Sequence, residues 1–162
     1  MGVSGAGKST VGEAVAQRLG LTFVDADSLH PETNVAKMAA GTPLTDDDRW
    51  PWLAQVGHTL ASAEREGLVI ACSALRRAYR DAIRAVAPTA QFVHVSVPVS
   101  TLAQRVANRP GHFMPPALLN SQLATLEPLK ALEPLEAGVT VDSDDGVDAT
   151  ADRVVEMHSP RA

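Results

Sequence analysis

The sequence has few of the features that mark secreted, membrane-bound or nucleic-acid-binding proteins. Cys72 is the only cysteine in 162 residues, so an internal disulfide is excluded and a reducing cytoplasm is favoured. No apolar run approaches the ~18 residues of a membrane span, and we read no secretory signal at the N-terminus. The net charge of −5 argues against a broad nucleic-acid surface but leaves room for a local basic cleft. We therefore expect one cytoplasmic domain with neither membrane nor nucleic acid as partner.

A glycine-rich motif opens the chain. Residues 2–9 fit G-x-x-x-x-G-K-[ST], a loop whose backbone N–H groups curl around nucleotide phosphates. In this pattern Lys8 reaches the β- and γ-phosphates and the Ser9 hydroxyl binds Mg²⁺. A helix should begin near Lys8 and direct its positive dipole end at the anion. The predicted nucleotide-binding residues are Gly2, Val3, Ser4, Gly5, Ala6, Gly7, Lys8, Ser9 and Thr10.

The strand that normally precedes such a loop is missing. A phosphate loop joins a buried parallel strand to its helix, yet only Met1 stands before Gly2. Two interpretations are open: the start is misplaced or the chain truncated, or the fold has lost a strand from the middle of its sheet. We favour the first, because a buried sheet cannot lose a central strand without exposing unpaired backbone groups.

Strand and helix patterns alternate along the rest of the chain. Short apolar runs predict strands over 21–24, 68–72, 91–97 and 139–142. Helical spacing, acidic starts and glycine stops predict helices over 8–19, 33–40, 46–66, 76–86, 100–109, 117–126 and 147–157. This alternation is typical of an α/β fold, here a three-layer α/β/α sandwich around a parallel sheet. Ligands should then lie at the carboxyl ends of the strands.

Two carboxylates follow the first predicted strand. Asp25 and Asp27 would lie beside the phosphate loop, where phosphoryl transfer needs Mg²⁺ and an oriented nucleophile. One carboxylate could hold the metal, and the other could accept a proton from a substrate hydroxyl. The structural alternative is a turn in which Asp caps a helix. We favour the functional interpretation, because no acid ends the strand predicted over 68–72.

Arginines supply positive charge for an anionic substrate. Arg49 could present a guanidinium to a carboxylate or phosphate, although Asp46 to Asp48 alone would indicate a solvated helix start. Arg76 stands at the ligand end of the sheet, so we expect it to contact an anionic group. The helix face that Arg76 shares with Arg80 and Arg84 is otherwise interpreted as solvated.

A Pro/Gly-rich stretch interrupts the pattern over about residues 109–117. We interpret it as a mobile lid that excludes water and carries arginines toward the transferred phosphoryl group. Arg105 and Arg109 stand just before this stretch or at its start, and a plain surface helix is the alternative. His112 within it either binds a polyol hydroxyl or is simply solvated.

Taken together, several segments resemble gluconokinases, the small P-loop kinases that phosphorylate D-gluconate. The matching residues include 2–9, 25–31, Asn34, Lys37, Met38, Gly41, Pro43, Leu44, 46–49, 51–53, 72–75, 79–81, 111–113, Gln122 and 125–127. The resemblance runs from Gly2 to about Leu135, and the segment 25–53 is more specific than the phosphate loop alone.

The resemblance implies an adenylate-kinase-like fold with a five-stranded parallel sheet, and transfer of phosphate from ATP to D-gluconate. By this likeness Lys8 and Ser9 serve ATP and Mg²⁺, Asp25 supports the metal, and Asp27 orients or deprotonates the attacking hydroxyl. The implied substrate-binding residues are Asp27, His30, Arg49, Arg76, Arg109 and His112, with Arg105 set against adenine. A homodimer is compatible with the family, but the residues do not reveal it.

Two rival functions stay open at this point. One keeps the kinase fold and changes the acceptor to another hydroxylated acid such as shikimate. The other is a nucleotide-binding protein without transfer activity. The stretch from His30 to Leu53 favours gluconate as the acceptor.

Overall fold

Seven α-helices and four β-strands alternate along the part of the chain that the computed structural model describes, residues 1–107, 116–129 and 138–158. A 3-10 turn over Ala26–Leu29 follows the first strand. The elements are α1 (Lys8–Leu19), β1 (Thr22–Asp25), α2 (Glu32–Ala39), α3 (Asp46–Ser62), β2 (Leu68–Ala71), α4 (Arg77–Val86), β3 (Phe92–Ser96), α5 (Val99–Ala107), α6 (Pro116–Thr125), β4 (Gly138–Asp142) and α7 (Val147–His158).

Where the structure describes them, the helix boundaries lie within one residue of the sequence prediction except at the end of α3, and the end predicted for α5 at residue 109 lies outside the described residues. Helix α1 begins at Lys8 and ends at Leu19, and the following Gly20 closes it with a φ of 68°, the left-handed conformation that glycine adopts without strain. Helix α3 was predicted to reach residue 66 but ends at Ser62. There the Ala63 N–H donates to the carbonyl three residues earlier, and the chain tightens into turns before Gly67.

The strands form two parallel pairs, β1 with β2 and β3 with β4. Thr22 is in register with Leu68, and Phe92 with Gly138. The resemblance implied five strands in one sheet, and the described residues form four. Between the two pairs, Met1 bonds to Val93 and Val95 on one side, and the Gly2 N–H donates to the Ser73 carbonyl on the other.

Helices cover both faces of the strand pairs and produce two apolar cores. Helices α1 and α7 pack together on one side, and α3 and α4 on the other. Gly57 lets α3 approach α4 closely, because a Cβ at that position would meet Val86 Cβ at 2.8 Å. This arrangement confirms the predicted α/β/α sandwich. Within the described ranges no helix is both long enough and apolar enough to span a bilayer.

Candidate active site

The phosphate loop has the backbone shape that its sequence predicts. Gly5 and Gly7 adopt φ values of 81° and 89°, which side-chain-bearing residues rarely adopt. Gly7 precedes the first residue of α1, so the N-terminal N–H groups of that helix face the loop. The loop and the helix terminus therefore present a concave set of backbone donors to an anion.

Two side chains cross this loop. The Lys8 Nζ donates to the Val3 carbonyl at 3.1 Å, which brings the ammonium back over the loop. The Ser4 N–H donates to Gln122 Oε1 at 2.7 Å, so that α6 contacts the loop directly. The sequence indicated Gln122 only as one of the residues that match the family. Its contact with Ser4 was not predicted, because no local pattern identifies a contact between positions 118 apart.

Ser9 and Asp25 meet at the end of β1. The Ser9 hydroxyl donates to Asp25 Oδ2 at 2.7 Å, and the Asp27 N–H donates to Asp25 Oδ1 at 3.0 Å. Asp25 thus caps the 3-10 turn, as the structural alternative predicts, and it also lies beside the phosphate loop. Its role at a metal stays a prediction. Asp27 is exposed on the same turn.

The donor set at Ser9 and Asp25 suits Mg²⁺. Hydroxyl and carboxylate oxygens are hard ligands, and magnesium is commonly bound through one or two carboxylates together with substrate phosphates and water. Among the residues that the structure describes, no three His, Cys, Asp or Glu side chains form a metal-binding cluster.

Trp52 connects the Asp25–Asp27 turn to His30. Its Nε1–H donates to the Ala26 carbonyl at 2.7 Å, and its ring stacks on His30 with 4.2 Å between ring centroids. Trp52 is only 3% exposed, so it acts as a packing anchor. The turn that carries both carboxylates is consequently held in place by α3.

Asn34 sets the orientation of the His30 ring, a role that sequence reasoning missed. The Asn34 amide nitrogen donates to the Asp48 carbonyl at 2.8 Å and lies 3.3 Å from His30 Nδ1. Because that nitrogen can only donate, Nδ1 accepts and the proton of the neutral ring belongs to Nε2. Burial lowers the pKa of His30, while Asp27 acts in the opposite direction. In its neutral form the His30 ring therefore offers one N–H donor, at Nε2.

Arg49 and Arg76 come together around Asp46 and Tyr79. Arg76 Nη1 lies 2.6 Å from Asp46 Oδ2, Arg49 Nη1 lies 3.8 Å from Asp46 Oδ1, and the Tyr79 hydroxyl donates to Asp46 Oδ1 at 2.5 Å. Both guanidinium carbons lie within 6 Å of the Tyr79 ring centroid, at 5.8 and 5.6 Å. Burial, and then Asp46, raises the pKa of Tyr79. Two cations share one carboxylate, so the cluster keeps a net positive charge.

Two of the acidic residues at the start of α3 bond to other side chains, in addition to lying at a solvated helix start. Thr45 caps the helix in a reciprocal capping box with Asp48, and Lys37 donates to Asp48 at 2.6 Å. The hydrogen bond from Lys37 has the largest effect on the pKa of Asp48, and together with the bonds from Thr45 it lowers this pKa to about 2. Asp46 pairs with Arg76, and the sequence offered no signal for that contact.

Arg80 was grouped with the solvated arginines, and this interpretation is wrong. Its side chain is fully buried and donates to the carbonyls of Ala74, Leu75 and Glu127. Carbonyl oxygens compensate the guanidinium for lost water, which permits the burial. Arg80 therefore fixes the loop after β2, and with it the position of Arg76.

Arg105 lies beside the phosphate loop. A Cβ built on Gly7 would meet Arg105 Nη1 at 3.8 Å, and Arg105 Nη2 donates to the Ser143 carbonyl at 3.5 Å. Arg109, His112 and most of the predicted lid lie outside the described residues. Their roles stay predictions.

Comparison with known proteins places this geometry in a family. A family model described as shikimate kinase matches residues 4–157. The gluconokinase of Gluconobacter oxydans (strain 621H) is 50% identical over 129 residues, which cover 78% of this chain and 72% of that protein.

Two solved structures extend the likeness to three dimensions. A gluconokinase from Sinorhizobium meliloti 1021 superimposes with a TM-score of 0.79 at 47% identity, covering 97% of this chain and 91% of that one. A sugar kinase from Janibacter sp. HTCC2649 gives a TM-score of 0.85 at 43% identity, covering 96% and 90%. With the phosphate loop and the Asp25–Asp27 turn, these matches show that the chain belongs to the gluconokinase family of P-loop kinases.

Proposed function

We propose that the protein transfers the γ-phosphoryl group of ATP to D-gluconate and releases ADP and 6-phosphogluconate. One observation carries the proposal: Ser9 of the phosphate loop bonds to Asp25, and α3 connects the Asp25–Asp27 turn through Trp52 to the cationic cluster of Arg49 and Arg76. Gluconate is a carboxylate with several hydroxyls, so its recognition needs cations at one end and polar groups along its length.

On the nucleotide side, the backbone of residues 2–9 binds the phosphates, and Thr10 continues the site into α1. Lys8 neutralises charge on the β- and γ-phosphates, as the motif predicts. Ser9 and Asp25 would hold Mg²⁺, which supplies further positive charge at the transferred group when bound. Arg105 of α5 reaches Gly7 of the phosphate loop, a position from which it would contact the bound nucleotide.

On the acceptor side, Arg49 and Arg76 bind the carboxylate of the sugar acid in competition with Asp46. His30 donates from Nε2 to a hydroxyl, and Asp27 accepts the proton of the attacking hydroxyl. Arg109 and His112 are proposed to complete the site from the lid.

The deciding experiment measures ADP release from Mg-ATP with D-gluconate, shikimate or no acceptor. Gluconate-dependent release that is abolished in Lys8→Ala and kept in the surface control Arg65→Ala is the expected result. Release with shikimate alone would contradict the proposal and reassign the acceptor. Nucleotide binding without acceptor-dependent release would instead support a binding protein.

We also propose that residues 1–162 form one kinase domain and that it works in the cytoplasm, as the single cysteine predicts. Light scattering would check the homodimer that the family allows.

A further inference from the structure

Asp46 places a negative charge inside the cationic cluster of the acceptor site. Its Oδ2 lies 2.6 Å from Arg76 Nη1, and its Oδ1 lies 3.8 Å from Arg49 Nη1. The Tyr79 hydroxyl donates to the same Oδ1 at 2.5 Å. The carboxylate of Asp46 therefore lies against both of the guanidinium groups that the proposed function assigns to the carboxylate of the acceptor.

Helix α3 does not depend on this carboxylate for its cap. Asp46 is the first residue of α3, but the reciprocal capping box is formed by Thr45 and Asp48. The side-chain bonds of Asp46 run instead to Arg76 and Tyr79, at positions 30 and 33 residues away. Its position therefore reflects the packing of α3 against α4, where the acceptor cluster forms.

The cluster is open enough for an anion to enter. The side chains of Asp46 and Arg76 are 41% and 42% exposed, and that of Arg49 is 33% exposed. Exposed ion pairs contribute little stability, so a second anion can compete with Asp46. A guanidinium carries five N–H donors, and Asp46 approaches each of the two arginines at Nη1. The geometry thus leaves room for a ligand anion beside Asp46.

The charge of the cluster distinguishes a carboxylate from a phosphate. Guanidinium groups bind both anions in bidentate fashion, but a phosphate group carries a charge of about −1.5 to −2 at pH 7. Arg49 and Arg76 together with Asp46 give the cluster one net positive charge, which a single carboxylate neutralises. A doubly charged phosphate would leave one negative charge in excess, close to Asp46, where like charges repel. Two arginines without Asp46 would instead match a phosphate dianion.

Given the proposed function, on which this inference rests, we propose that Asp46 is a specificity-determining residue. It makes the Arg49–Arg76 cluster bind a singly charged carboxylate and bind doubly charged phosphate groups only weakly. Asp46 acts through the two arginines and not on the reacting atoms. The acceptor class is then sugar acids whose only charge is the carboxylate, and free phosphate or sugar phosphates do not block their entry.

The test measures ADP release at saturating Mg-ATP, with D-gluconate varied and inorganic phosphate added as an inhibitor. Saturating ATP keeps phosphate off the phosphate loop, so inhibition that competes with gluconate reports on the arginine cluster. In Asp46→Asn the inhibition constant of phosphate should fall at least about tenfold, and the KM for gluconate should fall by about threefold or less. Asp47→Asn removes the same charge from the exposed neighbouring residue and is the matched control, in which both constants should stay nearly unchanged.

The direction of the change in KM separates this role from a merely structural one. A KM for gluconate that rises in Asp46→Asn would show that Asp46 only holds the arginines in place, and it would overturn the proposal. Equal falls in the two constants, or equal effects of Asp47→Asn, would overturn it as well. Asp46→Ala leaves the Thr45–Asp48 capping box in place and gives the same comparison if Asp46→Asn folds poorly.

Calorimetric titration distinguishes a failure of this inference from a failure of the proposed function. If the unsubstituted chain shows no gluconate-dependent ADP release, the proposed function is wrong. The dissociation constants of gluconate and phosphate are then measured with a non-hydrolysable ATP analogue at saturation. The ratio of the phosphate constant to the gluconate constant should fall at least about threefold in Asp46→Asn. An unchanged ratio, or no binding of either anion, would overturn the role of Asp46.

Discussion

Acidification should destabilise the chain with a free Met1 amino group through that one buried group. The folded state holds the group at a pKa of about 5, against 8.0 when solvated. Above pH 8 the amine is neutral in both states, and no penalty arises. As the pH falls from 8 to 5, the unfolded chain binds a proton that the folded chain does not, so the free energy of unfolding decreases.

The size of this effect follows from the shift. A difference of about three pKa units corresponds to about 4 kcal/mol at most, at 1.36 kcal/mol per unit. Domains of this kind unfold with roughly 5–15 kcal/mol, so the loss is a large share of the total. Burial also lowers the pKa values of His30 and His94, which adds a loss of the same sign below about pH 6.5.

Acetylation of the Met1 amine isolates its contribution. Urea unfolding followed by Trp fluorescence at pH 8, 7, 6 and 5 gives the free energy of unfolding for both forms. The acetylated chain should keep the decrease due to the histidines and lose the part assigned to the amine, and the two forms should diverge most at pH 5. If the free energy of unfolding decreases equally with falling pH in the two forms, the burial of the Met1 amine does not contribute to the pH dependence and the prediction is wrong.

Three further predictions concern the site. Asp27→Asn should lower kcat at least ~100-fold if Asp27 accepts the proton, and a near-normal kcat in a steady-state assay would exclude that role. Arg76→Ala should raise the KM for gluconate at least about tenfold while the KM for ATP stays constant, because its guanidinium lies in the acceptor cluster. An equal change in both constants would argue for general damage, and Arg65→Ala is the matched control. Trp52→Phe should lower the free energy of unfolding by about 1–3 kcal/mol, because the buried Ala26 carbonyl loses its donor. Denaturant unfolding that matches the unsubstituted chain would contradict this.

The phosphate loop and most helix boundaries could be predicted because they depend on local chemistry. Gly7 and Lys8 lie within one motif, and Gly20 stops α1 wherever the helix packs. The acidic residues of α3 could not be assigned in this way. Asp46 meets Arg76 only after α3 packs against α4, a contact between positions 30 apart. A charge run in sequence cannot distinguish that pairing from a solvated face.

Arg80 illustrates the same limit for burial. Spacing places it on one face with Arg84, and a basic face usually lies in water. Its actual environment depends on three carbonyls, one of them from Glu127 after α6. Those acceptors come together only in the folded chain, so tertiary structure decides the outcome.

Helix α6 links the two halves of the site, and this has a thermodynamic consequence. Gln122 on α6 bonds to Ser4 in the phosphate loop, while Glu127 just beyond it bonds to the Arg77 N–H and the Leu75 carbonyl. If a bound nucleotide displaces Gln122 from Ser4 and α6 moves as a unit, the segment that positions Arg76 moves with it, and the nucleotide then changes the affinity for the acceptor by some factor. Thermodynamic linkage then requires that the acceptor changes the affinity for the nucleotide by the same factor as the nucleotide changes the affinity for the acceptor. Binding of the two substrates would in that case be coupled through α6.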